Sequence, residues 1–345
     1  MPGGCPCVQA EACAAPYPDA VFYVRSHKRR LLRAIMNYLC LPTNYDMPMK
    51  TEKPGVFRAW VLASRPKTLA AAAVPVLVGC ALAYSDGCFR WPEALLCMLF
   101  AFLMQIDANL INDLFDYLKG SDRGDRLGPR RACAEGWIAP RAMKWGIACT
   151  TLAACVAGLG LLRYGGPELI AVGAVCVLFA FLYTAGPYPL AYHGWGDLLV
   201  VVFFGFVPVG CIYYVMCHSW TADAAVASLA CGLAIDTLLM LNNYRDREQD
   251  ALSGKRTLVV RFGARAGRIL YLAAGSAAVL LCLWFVLRGR LWAGLFPLLY
   301  LPFHAASWRR MTRIGSGKAL NGVLGETSRN MLLWAALLSL GLILG

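Results

Sequence analysis

Two stretches of the chain carry side chains that could do chemistry together. The first is Gln105 to Asp122, QIDANLINDLFDYLKGSD, where an apolar run ends in amides and acids. At roughly 3.6 residues per helical turn, Gln105, Asn109, Asn112 with Asp113, Asp116 and Gly120 fall on one face. Acids on a membrane-type helix are costly unless they pair, bind a cation or line a wet cavity, so such a stripe marks a functional site by default. The second stretch, Leu238 to Arg261, LLMLNNYRDREQDALSGKRTLVVR, repeats the arrangement with Asn242, Asn243, Asp246 and Asp250, followed by Lys255 and Arg256. Either motif alone reads as a solvated helix face. Their recurrence at the same end of two apolar helices makes a bipartite site.

Carboxylates from two helices, flanked by Arg and Lys, suit a hard cation that bridges to phosphate oxygens, which is how magnesium is usually held. The implied ligand is a diphosphate. Neither motif contains His or Cys, which argues against zinc. No G-x-x-x-x-G-K-[ST] cradle occurs, which argues against nucleotide hydrolysis. A membrane cavity with such a site at its mouth suits a substrate with a diphosphate head and a long apolar tail, a polyprenyl diphosphate. A water-poor cavity would protect the allylic cation formed when the diphosphate leaves.

The elements that position these motifs must be membrane helices. Of the 345 residues, 59% are hydrophobic and 15% charged, where a soluble chain carries about 25% charged residues. Nine apolar segments are expected: Thr68 to Ser85, Pro92 to Asp113, Trp145 to Leu162, Leu169 to Gly186, Leu198 to Cys217, Ala224 to Leu241, Leu270 to Leu287, Leu291 to Ser307 and Met331 to Leu344. The last must extend back towards Asn321 to cross. This predicts an all-α integral membrane fold of nine transmembrane helices.

Alternate loops should be enriched in positive charge, and they are: 29 of the 33 Lys and Arg fall on one side, leaving Arg90, Arg163, Arg288 and Arg290 on the other. The pattern predicts a cytoplasmic N-terminus, a C-terminus on the opposite side and both Asp motifs facing the cytoplasm. The net charge of +13 is thus a matter of topology and phosphate binding, not of nucleic acid. The two basic loops, Lys119 to Lys144 and Tyr244 to Arg268, exceed simple turns and are expected to cap the site. Most of the 15 cysteines lie inside apolar runs, where thiols pack as small hydrophobes. Residues 1–58 read as a poorly structured or surface-helical extension, with a basic segment at Arg25 to Arg33.

The motifs NDLFDYLKGSD (Asn112 to Asp122) and NNYRDREQD (Asn242 to Asp250) resemble the two Asp-rich signatures of UbiA-type intramembrane aromatic prenyltransferases. RPKTLAAAAVPVLVG (Arg65 to Gly79), RLGPRRA (Arg126 to Ala132), YTAGPYPLAYHGWGDLLVVVFFGFVPV (Tyr183 to Val209), GKRTLVVRFG (Gly254 to Gly263) and GKALNGVLGETSRNML (Gly317 to Leu332) resemble the branch that prenylates 1,4-dihydroxy-2-naphthoate in menaquinone biosynthesis. The resemblance runs from about Trp60 to the C-terminus. It implies a UbiA-type bundle with cytoplasmic cap loops in the cell (inner) membrane, Mg2+ as cofactor, and a polyprenyl diphosphate and 1,4-dihydroxy-2-naphthoate as partners within the lipid bilayer. Asp113, Asp116, Asp246 and Asp250 would be the catalytic and metal-holding acids. Asn109, Asn112, Arg123, Lys255 and Arg256 would bind diphosphate, and Arg65, Lys67, Tyr183, Tyr188 and His193 the acceptor.

Other readings stay open at this point. An enzyme of the same type could take 4-hydroxybenzoate or homogentisate. An ion-coupled transporter would also carry intramembrane acids, but transporter sites usually sit near the midplane at broken helices. Two further acids, Asp107 and Asp236, lie inside apolar segments. Asp107 falls on the helix face away from Asn109 and Asp116, so it is expected to be protonated or hydrogen-bonded at a helix interface.

Overall fold

The computed structural model describes residues 53–121 and 126–345. These residues form helices, and none of them is in a strand. Helix α1 (Val56–Ser64) meets α2 (Pro66–Ser85) at an elbow. There follow α3 (Trp91–Leu118), α4 (Pro140–Gly165), α5 (Leu169–Thr184), α6 (Gly196–Cys217), α7 (Ala222–Leu252) and α8 (Leu258–Leu287). A helical turn at Leu291–Leu295 and a 3₁₀ turn at Phe296–Tyr300 lead into α9 (Leu301–Ile314), and α10 (Leu320–Leu344) closes the chain.

The nine expected segments correspond to α2 through α10, with two qualifications. Among the described residues, seven helices are long and apolar enough to cross a membrane; α5 is shorter and the eighth segment is broken by the 3₁₀ turn. This is the architecture of a multi-pass membrane protein. The expected bounds fall short mainly where polar residues prolong a helix. α3 runs on through Asp116 to Leu118, and α7 through Asp250 to Leu252. Backbone hydrogen bonds continue past the apolar run because the acids there find partners, so apolarity marks the membrane and not the helix end. α10 begins at Leu320, as crossing requires.

Prolines stand in the first turns of α2, α3, α4 and α9, where the missing N–H has no acceptor to lose. α8 bends at Gly263, whose φ of 83° ends the helix's first turns before the membrane run begins. In α6 the segment Val201–Gly210 widens to a π-helix that packs on α7 at Gly205 and Gly232. A Cβ on Gly205 would lie 2.4 Å from the Ser228 carbonyl oxygen, so backbones touch there.

The largest core cluster joins α2, α6, α7 and α10 around Val74, Leu82, Ile212, Ala230 and Trp334. At the end of α7 remote from its acids, Asp223 accepts from Trp284 Nε1 at 2.9 Å and pairs with Arg288 at 3.2 Å. Arg290 joins Asp223 to Asp86, which also accepts from Tyr213 at 2.6 Å. This clasp ties three loops at the face opposite the Asp motifs.

Candidate active site

The acid-bearing ends of α3 and α7 meet. Lys255, just past α7, places its Nζ 4.0 Å from Asp116 Oδ2 and 3.9 Å from Asp250 Oδ1. One ammonium therefore sits between a carboxylate from each motif. Tyr192, in the 3₁₀ turn Leu190–His193, completes this point. Its hydroxyl lies 3.2 Å from Asp116 Oδ1 and 2.6 Å from Ser121 Oγ, and its ring faces the ammoniums of Lys119 and Lys255 at 4.8 and 4.9 Å. Burial lowers the pKa of Lys119; Asp116 opposes that shift and Lys255 adds to it. Lys119 also donates to the Thr184 carbonyl at the end of α5.

The first basic loop folds back on its own helix. Asp113 accepts from the backbone N–H of Ala132 and of Cys133, both at 2.9 Å, one with each oxygen. Arg131 Nη2 pairs with Asp116 Oδ2 at 2.9 Å, and both side chains are buried. The second motif is held differently. Arg245 grips Asp246 with Nε at 2.7 Å and Nη2 at 2.6 Å, and also donates to Asn242 at 2.7 Å. The second basic stretch, expected as a long loop from Tyr244 to Arg268, is helical on both sides of a five-residue turn, Ser253 to Thr257, because α7 runs on to Leu252 and α8 begins at Leu258. It still reaches across to the turn that bears Tyr192: the Arg256 N–H donates to the Tyr192 carbonyl at 2.8 Å, and Arg261, in the first turn of α8, to the His193 carbonyl at 2.6 Å.

Beneath this cluster lies a cavity of about 940 Å³. Its walls come from α2 to α7 and are apolar, with Phe100, Met104, Phe179, Phe203, Val207 and Leu239 among them. Its polar lining is Gln105, Asn109, Asn112 and Tyr183. Gln105 Nε2 donates to Asn109 at 3.4 Å, and Thr184 Oγ1 to Asn112. Asn109 Nδ2 reaches Ser64 O at 3.0 Å and Thr68 Oγ1 at 2.9 Å, which fastens the α1–α2 elbow. The elbow turns on Arg65, a non-glycine residue in the left-handed region at φ 52°.

The structure therefore brings Asp116, Asp250 and Lys255 to one point, with Asp113 and Asp246 beside them in contacts of their own. Asn109 and Asn112 sit at the cavity, and Arg65 at the elbow behind Asn109. Tyr183 lines the cavity. Tyr188 and His193 are not among its lining residues and stack on each other, centroids 3.5 Å apart. Arg256 is exposed. Arg123 lies outside the described residues, as do residues 1–52, and the Lys67 side chain is not described. Tyr192, Arg131, Arg245 and Thr184 enter the site without having been singled out in the sequence. Tyr192 lay inside a motif stretch, but its partners are 71 and 76 positions away.

Asp107 is 0% exposed and accepts from Thr150 at 2.6 Å and Thr151 at 2.9 Å on α4, so it serves a helix interface as its register required. Asp236 and Asp197 are buried, and among the described residues Asp236 Oδ1 and Asp197 Oδ2 have no hydrogen-bond partner. No three His, Cys, Asp or Glu side chains among the described residues stand close enough together to hold a metal by themselves.

Comparison with known proteins decides what this arrangement belongs to. The UbiA prenyltransferase family matches residues 72–321, well over half of the chain. The chain belongs to the UbiA prenyltransferase family. It is 34% identical over 297 residues to a 1,4-dihydroxy-2-naphthoate octaprenyltransferase of Haemophilus influenzae, covering 84% of this chain and 96% of that protein. It is 36% identical over 295 residues to the Escherichia coli protein of the same name, covering 83% and 96%. A UbiA homolog from Archaeoglobus fulgidus shares the fold with a TM-score of 0.61 at 16% identity, over 83% of this chain and all of that one. The same homolog, bound to GPP and Mg2+, superposes with a TM-score of 0.53. For this UbiA member the fold thus has a solved counterpart.

Proposed function

We propose that this chain transfers a polyprenyl group from an all-trans polyprenyl diphosphate to 1,4-dihydroxy-2-naphthoate. Diphosphate and carbon dioxide leave, and the product is the demethylmenaquinol of menaquinone biosynthesis. The observation that carries the reading is the convergence of Asp116 and Asp250 on one ammonium above a largely apolar cavity. The choice of acceptor is supported by the two relatives named for it, each matched over 96% of its length.

The donor set fits magnesium. Asp116, Asp246 and Asp250 offer hard oxygens, and the Lys255 cation already stands within 4.0 Å of two of them. Magnesium usually takes one or two carboxylates and completes its shell with water and phosphate oxygens, so the lack of a three-residue cluster does not count against it. When bound, the ion would neutralise charge building on the departing diphosphate. Asp113, with both oxygens on backbone N–H groups, holds the first loop in place beside that site.

This chain's own residues supply the rest. Lys255 and Lys119 turn their charge to the leaving phosphate, with Arg123 and Arg256 as further partners. The apolar walls take the prenyl tail and exclude water from the allylic carbon. Tyr183 would contact the acceptor ring, and Arg65 and Lys67 would supply positive charge for its carboxylate. The C–O bond to diphosphate breaks as a bond forms to the ring carbon that bears the carboxylate. Aromaticity returns when the C–CO2 bond breaks and its electron pair re-enters the ring. Both hydroxyl groups are kept and no net proton is taken up or lost, so no general base is needed. The positive charge of the alternate loops supports placing the acid-bearing ends on the cytoplasmic side of the cell membrane.

Purified protein given magnesium, an all-trans polyprenyl diphosphate and carboxyl-labelled 1,4-dihydroxy-2-naphthoate should release labelled carbon dioxide in step with diphosphate, and EDTA should stop both. A prenylated product that keeps its label, or turnover with 4-hydroxybenzoate alone, would overturn the acceptor assignment.

A further inference from the structure

The stretch that opens α10, GKALN, has no part in the site as described, yet it touches the second acidic motif and the loop that follows the first. Asn321 Oδ1 accepts from Arg245 Nη1 at 2.8 Å, and Arg245 is the residue that grips Asp246. The Nδ2 of Asn321 donates to the Leu127 carbonyl of the first loop at 2.9 Å. The Leu127 N–H in turn meets Gln249 Oε1 at 3.3 Å. Next to it, a Cβ on Gly128 would lie 2.8 Å from Arg245 Nη2, so the turn is seated directly on the guanidinium. Farther along, the same loop is pinned to the first motif by Arg131 on Asp116 and by Ala132 and Cys133 on Asp113.

We propose that Asn321 is a positioning residue that latches the Leu127–Gly128 turn onto the second acidic motif through Arg245, holding the first loop closed across both motifs so that they bind the diphosphate together. The chemistry selects this residue type. An amide accepts from a guanidinium with its oxygen and donates to a carbonyl with its nitrogen; an aspartate of the same shape accepts but has no proton to give. Arg245 is 3% exposed whereas Asn321 is exposed. The fixed half of the latch is therefore buried and the releasable half is at the surface, as a loop that admits substrate requires. The substrate side of the inference rests on the proposed function; the closed loop itself does not.

The test uses the full chain in lipid nanodiscs as wild type, Asn321→Ala and Asn321→Asp. One arm measures trypsin cleavage of the Arg126–Leu127 bond without substrate. The other measures KM for all-trans farnesyl diphosphate with magnesium, against kcat. Both variants should speed cleavage by about five- to tenfold, the scale of one lost hydrogen bond when cleavage follows the open population. Both should raise KM by a similar factor and change kcat less than about threefold, the pattern of lost binding rather than lost chemistry. Asn321→Asp keeps the contact to Arg245, so it carries the test if Asn321→Ala fails to insert. Wild-type cleavage in Asn321→Asp would overturn the latch, and faster cleavage with unchanged KM would overturn its role in binding. A wild-type protein that cleaves slowly but never turns over would instead refute the proposed function and leave the latch standing.

Discussion

The two acidic helix ends look alike in sequence and are held in opposite ways. At the end of α3 the carboxylates reach outward to a distant loop: Asp113 to backbone N–H groups 19 and 20 residues on, and Asp116 to Arg131. At the end of α7 Asp246 is gripped by its own neighbour Arg245, and Asp250 has Lys255 five residues on. The first end is a folded cap whose acids organise the loop. The second is a rigid helix whose basic residues arrive from its own sequence. Equal motifs thus divide the work, and within each pair the acids differ as well, since Asp116 and Asp250 share a cation while Asp113 and Asp246 do not.

That division gives a ranking of effects. Asp116→Asn or Asp250→Asn removes a charge at the shared point and should cost at least ~100-fold in kcat, the usual scale of lost charge stabilisation at a reacting phosphate. Asp113→Asn should act through the loop. An amide can accept from one of the two backbone N–H groups but turns its NH2 towards the other, and an N–H cannot reverse its role. Leaving such a group unmatched costs about 1–3 kcal/mol. The expected result is faster tryptic cleavage of the first loop and a fall in activity near tenfold, measured beside an unchanged magnesium requirement. A loss as deep as that of Asp116→Asn would place Asp113 with the metal ligands.

Asp107→Asn is the smallest. Its partners are the hydroxyls of Thr150 and Thr151, which can rotate to accept from an amide as readily as they donate to a carboxylate. Turnover within about threefold of wild type is expected, because an isosteric swap that leaves each buried group matched is close to neutral. A large loss there would mean that the acid acts beyond the α3–α4 interface.

The sequence made the helices legible because lipid demands long apolar runs and alternate loops concentrate positive charge. It made the two acidic stretches conspicuous for the same reason: acids at the end of an apolar helix stand out. Periodicity also put Asp107 on the correct face. What it could not provide were contacts that depend on loop conformation. Arg131 was one arginine among several until the loop folded back 15 residues to Asp116. Tyr192 and Asn321 were ordinary polar residues in motif stretches, and their partners come from other parts of the chain. Asn109 also fastens the α1–α2 elbow through its Nδ2, a contact that no pattern in α3 announces.

The central claim is that the two motifs form one site, and a double-mutant cycle on turnover tests it most directly. Asp116→Asn and Asp250→Asn are measured singly and together, with farnesyl diphosphate, magnesium and 1,4-dihydroxy-2-naphthoate. Residues that act as a unit are strongly non-additive. Once either acid is gone the shared cation and diphosphate are already misplaced, so the double variant should be no more than about tenfold slower than the slower single one. Losses that multiply to about ten-thousandfold, the product of two independent ~100-fold effects, would show two sites acting separately and would contradict the account.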